Sequence, residues 1–210
     1  MKAFLLSLCI LIISIQIKAQ SSGESGNYIF YLHGRIVEVQ GLKAHSEKFG
    51  KYEYEAILEA LKSDNNRVIC EIRPADTKVL AYANKVVTQI NDLIHKGISP
   101  HQISVVGGSK GAIIAMQVST LLKNKDVHFI LIAGSSPWVQ KNYNFDLYGN
   151  ILGFYEKTDQ IAGMSYQPII DRSTGVSRFE EIQLNTGLGH GIVFKPLKEW
   201  VVPTLKWINH

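Results

Sequence analysis

The sequence predicts an α/β fold, a three-layer α/β/α sandwich built around a mostly parallel sheet. Two observations lead to this prediction. Short apolar stretches of strand length alternate along the chain with longer stretches of helical periodicity, which is the order that βαβ units produce. Residues 103–116 contain a β-branched run, a glycine-rich turn and an apolar helix with one charged residue, as expected for a strand and a helix near the centre of such a sandwich.

The predicted elements follow one another from residue 28 onward. Strands are predicted at residues 28–32, 67–72, 103–106, 127–133, 151–155 and 179–184. Helices are predicted at residues 52–61 and between a cap at Asp76 and a stop at Gly97. A third helix is predicted to follow the glycine-rich turn and to continue through Leu122, and a fourth covers residues 197–208, with Pro203 near or inside its first turn. The connections are short, so residues 28–210 are predicted to form one domain.

Residues 1–19 have the features of a secretory signal peptide. Lys2 supplies the positive start, residues 3–17 are almost wholly apolar, and Ala19 is a small residue at the expected cleavage position. The alternative is a membrane anchor, although the apolar run is short for a span of about 20 residues. Cleavage would leave a polar lead-in at residues 20–27, and it predicts a secreted or periplasmic protein with no membrane span in the mature chain.

Composition argues against several classes of function. The formal net charge is +4, and the signal segment holds two lysines and no acid, so the mature chain at +2 gives no reason to expect a nucleic-acid partner. Cys70 would be the single mature cysteine, which excludes an internal disulfide. The seven histidines have no metal-ligand spacing, and the glycine-rich turn fits neither a phosphate-binding nor a dinucleotide-binding motif, so neither a metal nor a cofactor is expected.

Residues 107–111, Gly-Gly-Ser-Lys-Gly, contain the pattern G-x-S-x-G with Ser109 at its centre. A serine held between a strand and a helix needs glycines two residues to either side, because the turn leaves no room for side chains there. The N-terminus of the following helix, which begins near Lys110, would direct free N–H groups at a developing oxyanion. The pattern also occurs by chance, so its meaning depends on a base, an acid and a second oxyanion donor elsewhere in the chain.

Three further segments resemble, in the same order, the catalytic loops of the α/β-hydrolase superfamily. The first strand runs into Leu-His-Gly-Arg at residues 32–35, which is similar to that family's oxyanion loop. The resemblance implies that Arg35 supplies the second oxyanion N–H and that Gly34 lets the backbone approach the substrate. Asp159 matches the acid position, and His190, between two glycines after the last strand, matches the catalytic histidine. The order Ser109, Asp159, His190 is that of the superfamily.

This chain also departs from the usual pattern of the family. Glu156 stands where the acid loop usually has a glycine, so Glu156 remains a lesser candidate for the catalytic acid. The opening antiparallel strands of larger members are not evident. The segment at residues 134–150, where larger members insert a cap domain, is 17 residues long. The resemblance therefore implies a compact, capless member with a shallow site.

The function implied by the resemblance is that of a serine hydrolase. Carboxylic esters of small acyl substrates are the first expectation, and thioesters are compatible with the same acyl-enzyme on Ser109. Two alternatives stay open: a non-catalytic binding protein on the same fold, and a serine-dependent acyltransferase in which another acceptor replaces water.

Three cations near the predicted site raise a question of substrate charge. Arg35 follows the first strand, Arg73 follows the second, and Lys110 adjoins the serine. Together they predict a mildly cationic rim that would favour substrates bearing a carboxylate or phosphate. The alternative is that nearby acids neutralise these cations in surface pairs, the candidates being Glu38, Glu47 and Asp76.

Overall fold

The computed structural model describes residues 26–63 and 65–209; the predicted signal peptide and most of the polar lead-in lie outside the described residues. The strands in those ranges are β1 (Asn27–Leu32), β2 (His45–Ser46), β3 (Gly50–Lys51), β4 (Asn66–Cys70), β5 (Ile103–Gly108), β6 (His128–Ile132), β7 (Tyr148–Glu156) and β8 (Gly175–Leu184). The α-helices are α1 (Arg35–Gln40), α2 (Tyr54–Leu61), α3 (Val79–His95), α4 (Lys110–Leu122), α5 (Pro137–Asn142), α6 (Gln167–Ile170) and α7 (Lys198–Ile208).

The main sheet of the described chain has six strands in the order β4-β1-β5-β6-β7-β8, and every neighbouring pair is parallel. The prediction of a mostly parallel sheet is therefore confirmed. β2 and β3 form a separate antiparallel hairpin. Because all six strands run the same way, the loops that follow β1, β5, β7 and β8 meet at one edge, where open α/β sheets bind their ligands.

Helices cover both faces of the sheet, so the three-layer prediction is also confirmed. Side chains of β1 alternate between the two cores: Phe30 packs into the core that includes α3 and α4, and Tyr31 packs into the core that includes α2 and α7. On the second side the large contributions come from Trp200 and Trp207 of α7. The central strands β5 and β6 are buried along their whole length, which accounts for their near-continuous apolar runs in the sequence.

The helix α3 begins later than the sequence suggests. Lys78, rather than Asp76, is the residue before its first turn, and Asp76 adopts a positive φ of 63° in the preceding loop. The loop is held by its own contacts, because Thr77 Oγ1 donates to the carbonyl of Pro74 at 2.7 Å and the carbonyl of Thr77 accepts from Lys110 Nζ at 2.7 Å. The prediction of an Asp76 cap is therefore wrong.

The last helix accommodates a proline beyond its first turn. Pro203 is the sixth residue of α7, whereas the sequence suggested a position near or inside the first turn. Proline lacks the N–H that would bond to the carbonyl four residues earlier. That carbonyl belongs to Glu199, which is exposed, so this interruption falls on the solvent side of the helix.

The segment at residues 134–150 contains α5 and the start of β7 in the described structure, so a short helix stands where larger relatives of the predicted family insert a cap. Within residues 26–63 and 65–209, no helix combines the length and the apolar character needed to cross a bilayer.

Candidate active site

Ser109 lies in the turn between β5 and α4, in an unusual backbone conformation. Its φ is 55° and its ψ is −120°, a region that non-glycine residues rarely occupy. A Cβ added at Gly107 would lie 2.4 Å from the carbonyl oxygen of Gly111, and one added at Gly111 would lie 1.8 Å from that of Leu32. Gly107 is therefore required for the turn to close on itself, and Gly111 for the turn to pack against β1.

The three residues that the sequence singled out lie in one hydrogen-bonded chain. His190 Nε2 is 2.8 Å from Ser109 Oγ, and His190 Nδ1 is 2.7 Å from Asp159 Oδ2. An ionised carboxylate can only accept, so the neutral ring carries its proton on Nδ1 and presents Nε2 as an acceptor to the serine hydroxyl. His190 and Asp159 are buried, whereas Ser109 is partly exposed and can be reached from solvent.

Asp159 is held in its charged form by the loop after β7. Its Oδ1 accepts hydrogen bonds from the N–H groups of Ile161 at 2.8 Å and Ala162 at 3.2 Å. Burial acts to raise the pKa of Asp159, but the hydrogen bond and the charge of His190, together with these backbone donors, hold the pKa below its usual value. A carboxylate so held can orient the imidazole at neutral pH.

Glu156, the lesser candidate for the acid, is engaged elsewhere. Its Oε1 accepts from the N–H and the hydroxyl of Thr158, and its Oε2 accepts from the N–H and the hydroxyl of Thr186. Glu156 therefore ties the loop after β7 to the loop after β8, which carries His190. Of the two carboxylates, the structure brings Asp159 to the histidine.

The two predicted oxyanion donors are each the first residue of a helix. Arg35 begins α1 and Lys110 begins α4, and the first N–H groups of a helix have no acceptor within it. The N–H of Gly34 donates to the Tyr52 hydroxyl at 3.3 Å. A Cβ on Gly34 would lie 3.6 Å from Ser109 Cβ, so the loop passes directly beside the serine.

The prediction of a cationic rim is wrong for Arg73, which is buried, and holds only in part for Lys110, which is mostly buried and paired. The Arg73 side chain is fully buried; its Nε donates to Glu38 Oε1 at 2.7 Å, and its Nη2 donates to the carbonyl of His33. Lys110 Nζ is 2.5 Å from Glu38 Oε2. Glu38 thus pairs with both cations inside the protein rather than in surface pairs, because buried charges require a partner. Of the three cations, Arg35 stays exposed.

His33, just before the oxyanion loop, is buried and neutral. Its Nε2 accepts the N–H of Arg73 at 3.0 Å, so the proton resides on Nδ1, which lies 2.9 Å from the carbonyl of Gly34. Burial, reinforced by the nearby charge of Arg73, lowers the pKa of His33 to about 4. The neutral ring therefore connects the end of β1 to the segment after β4 through its hydrogen bonds.

A cleft of about 330 Å³ opens beside His190, and the sequence did not indicate it. Its walls come from the β2–β3 hairpin, with Lys48 and Phe49, and from the loops after β7 and β8. The Phe49 ring centroid lies 6.2 Å from that of His190. Because the hairpin reaches the site only through the tertiary fold, no local motif could have identified these residues.

Within the ranges that the structure describes, no group of three histidine, cysteine, aspartate or glutamate side chains is arranged to hold a metal ion.

No protein-family model matches the chain, and no curated protein matches its sequence. Its fold is similar to that of solved structures. SOBER1 from Arabidopsis thaliana has a TM-score of 0.61 at 16% identity, covering 88% of this chain and 98% of that chain. Esterase PE8 has a TM-score of 0.54 at 15% identity, covering 88% and 92%. The thioesterase RedJ from Streptomyces coelicolor has a TM-score of 0.50 at 12% identity, covering 87% and 90%.

Structural similarity at such low identity establishes the fold and leaves the activity open. The parallel sheet, the serine turn after its central strand and the similarity to these structures agree with the resemblance first drawn from the loops. This chain has the α/β-hydrolase fold.

Proposed function

We propose that this chain is a serine hydrolase that cleaves carboxylic esters through an acyl-enzyme on Ser109. The observation that supports the proposal best is the chain of hydrogen bonds from Ser109 Oγ through His190 to Asp159, at 2.8 and 2.7 Å. A serine, a base within hydrogen-bond reach and an acid that orients the base are the parts that nucleophilic catalysis needs.

In the first half of the reaction, Ser109 Oγ attacks the carbonyl carbon and its proton passes to His190 Nε2. The N–H groups of Lys110 and Arg35, both at helix N-termini, stabilise the oxyanion that forms in the proposed reaction. The imidazolium is stabilised by the Asp159 carboxylate. When the intermediate collapses, the bond to the leaving oxygen breaks and that oxygen takes the proton from Nε2.

In the second half, His190 removes a proton from water, and the resulting attack on the acyl carbon releases the acid and restores Ser109. Thioesters and activated amides can follow the same steps, because the serine, base and oxyanion donors act on the acyl group alone. The structurally similar proteins include an esterase and a thioesterase, which agrees with this range of acyl substrates.

The test is hydrolysis of para-nitrophenyl esters of increasing acyl length by the wild-type protein and by Ser109→Ala. Wild type should turn over at least the short esters, and the variant should lose turnover while keeping the same circular dichroism spectrum and melting temperature. A variant that keeps its turnover would contradict the assignment of the nucleophile. Product analysis with an added alcohol separates hydrolysis from acyl transfer, since a transferase would yield the new ester in place of the acid.

We also propose that the protein acts outside the cytoplasm after removal of residues 1–19. The support comes from the sequence alone: a lysine near the start, an apolar stretch and a small residue at the cleavage position.

A further inference from the structure

We propose that the cleft beside His190 binds the leaving group of the substrate, and that this leaving group carries a carboxylate or phosphate. The inference rests on the proposed function and specifies its substrate class. The positive charge that meets the substrate would come from Lys48 and Lys195, which line the cleft, and not from the cationic rim that the sequence predicted.

Proton transfer by His190 explains why the leaving group would lie near this cleft. His190 Nε2 must hand its proton to the leaving oxygen, so the leaving group has to lie against His190. The acyl oxygen lies instead toward the N–H groups of Arg35 and Lys110. His190 lines the cleft, whereas Ser109, Arg35 and Lys110 do not, so a leaving group that occupies the cleft must extend past the imidazole, away from the two oxyanion donors.

The shape of the cleft suits a small apolar or aromatic body. Phe49 forms one wall, and Gly189 and Gly191, on either side of His190, face it. A Cβ at Gly191 would lie 3.4 Å from Phe49 Cδ1, and one at Gly189 would lie 3.9 Å from Phe49 Cε1. Side chains at these two positions would therefore narrow the cleft. Ile161 and Leu188, both exposed, add further apolar surface to its lining.

The charges that reach solvent in the cleft are positive. Among the described residues that line it, Asp159 is the sole acid; its side chain is fully buried and bonded to His190 and to two backbone N–H groups. Glu156, behind Thr158, is also buried, with both oxygens bonded. Lys195 lies 3.8 Å from Glu53, and with both side chains more than a third exposed this pair is weak. Lys48 Nζ lies 5.4 Å from the centroid of the Phe49 ring, a contact that does not neutralise its charge, so both ammonium groups can meet an anion.

The experiment compares two acetate esters, that of para-cresol and that of para-hydroxyphenylacetate. Both place the same acetyl group on Ser109, and they differ by one carboxylate on the leaving group. A third ester, the para-cresyl monoester of succinate, carries its carboxylate on the acyl side. The value of kcat/KM is measured for wild type, Lys48→Gln, Lys195→Gln and the double variant. Lys125→Gln is the matched control, because Lys125 is exposed in the loop before β6, on the opposite edge of the sheet.

We expect the ester with the anionic leaving group to react about three- to tenfold faster than the neutral one, as two exposed ion pairs allow. The ratio should fall toward one in the double variant and at high salt, and it should be unchanged in Lys125→Gln. A ratio of one in wild type, a ratio that survives both lysine substitutions, or an equal preference for the succinate monoester would overturn the inference while leaving the hydrolase intact. If none of the three esters is hydrolysed, the proposed function itself fails, and the inference fails with it.

Discussion

Glu38 is the side chain whose loss should disturb this protein most without touching the reacting atoms. Its carboxylate is fully buried and bridges Arg73 at 2.7 Å and Lys110 at 2.5 Å. Within the described residues Arg73 Nη1 has no hydrogen-bond partner, so Glu38 is the main compensation for the arginine charge. The substitution Glu38→Gln keeps the shape of the side chain and removes its charge.

The magnitude follows from this geometry. Removing one partner of a buried ion pair costs about 3–5 kcal/mol, because the other charge is left uncompensated. Lys110 is 16% exposed and can turn toward water, so the cost arises mainly at Arg73, which is fully buried. For a domain of this size we expect the melting temperature of Glu38→Gln to fall by roughly 6–20 °C.

The assay is thermal and urea unfolding followed by circular dichroism, with Glu47→Gln as the control because Glu47 is exposed. The control should stay within about 0.5 kcal/mol of wild type. Combining Glu38→Gln with Arg73→Met should recover part of the loss, since no buried charge is then left alone. A Glu38→Gln protein as stable as the control, or a double variant less stable than the sum of the two single changes, would show that the buried pair does not stabilise the fold in this way.

Three further predictions concern pH, the acid and export. The pKa of His33 is lowered to about 4, so its contribution of about 3 kcal/mol to the free energy of unfolding is present above pH 6.5 and is lost as the pH falls toward 4. The substitution His33→Gln should therefore reduce the pH dependence of the unfolding free energy, but only in part, because the pKa of His128 is lowered in the same way. An unchanged pH dependence in His33→Gln would contradict this. Asp159→Asn should lower kcat by roughly 10³–10⁴-fold, whereas Glu156→Gln should mainly lower stability; a larger loss of kcat in Glu156→Gln would show that the wrong carboxylate was chosen. The protein recovered from its native compartment should begin at Gln20 by intact mass, and a chain that retains residue 1 would exclude cleavage.

The parts of the site that the sequence indicated share one property: each stands in a loop that directly follows a strand. Ser109, Asp159 and His190 come after β5, β7 and β8, and parallel strands bring those loops to one edge. The hydrophobic pattern that predicts the strands therefore also predicts that the three side chains lie close together. Strand order within the sheet did not have to be known for that conclusion.

The parts that the sequence did not indicate depend on contacts between distant segments. Glu38 meets Arg73 and Lys110, which lie 35 and 72 residues further along the chain. An arginine at the end of a strand gives no local sign of burial, and it was therefore assigned to an exposed rim. The helix α1 was missed for a related reason, since its six residues include Ile36, Val37 and Val39, which favour strands in isolation.

The lining of the cleft was beyond sequence reasoning as well. Phe49 belongs to the two-residue strands and turn of a hairpin that carries no motif. It reaches His190 because the hairpin folds over the carboxyl edge of the sheet and packs on Phe194, at a ring-centroid distance of 5.5 Å. Such a contact is set by the tertiary fold and by the length of the loop after β1.

The most direct test of the central claim is covalent labelling with a fluorophosphonate, followed by mass-spectrometric mapping of the modified residue. We expect a single adduct on Ser109 in the wild-type protein, little or no labelling in His190→Gln, where the base is lost, and none in Ser109→Ala. An adduct on another serine, or a folded wild-type protein that takes no label, would contradict it.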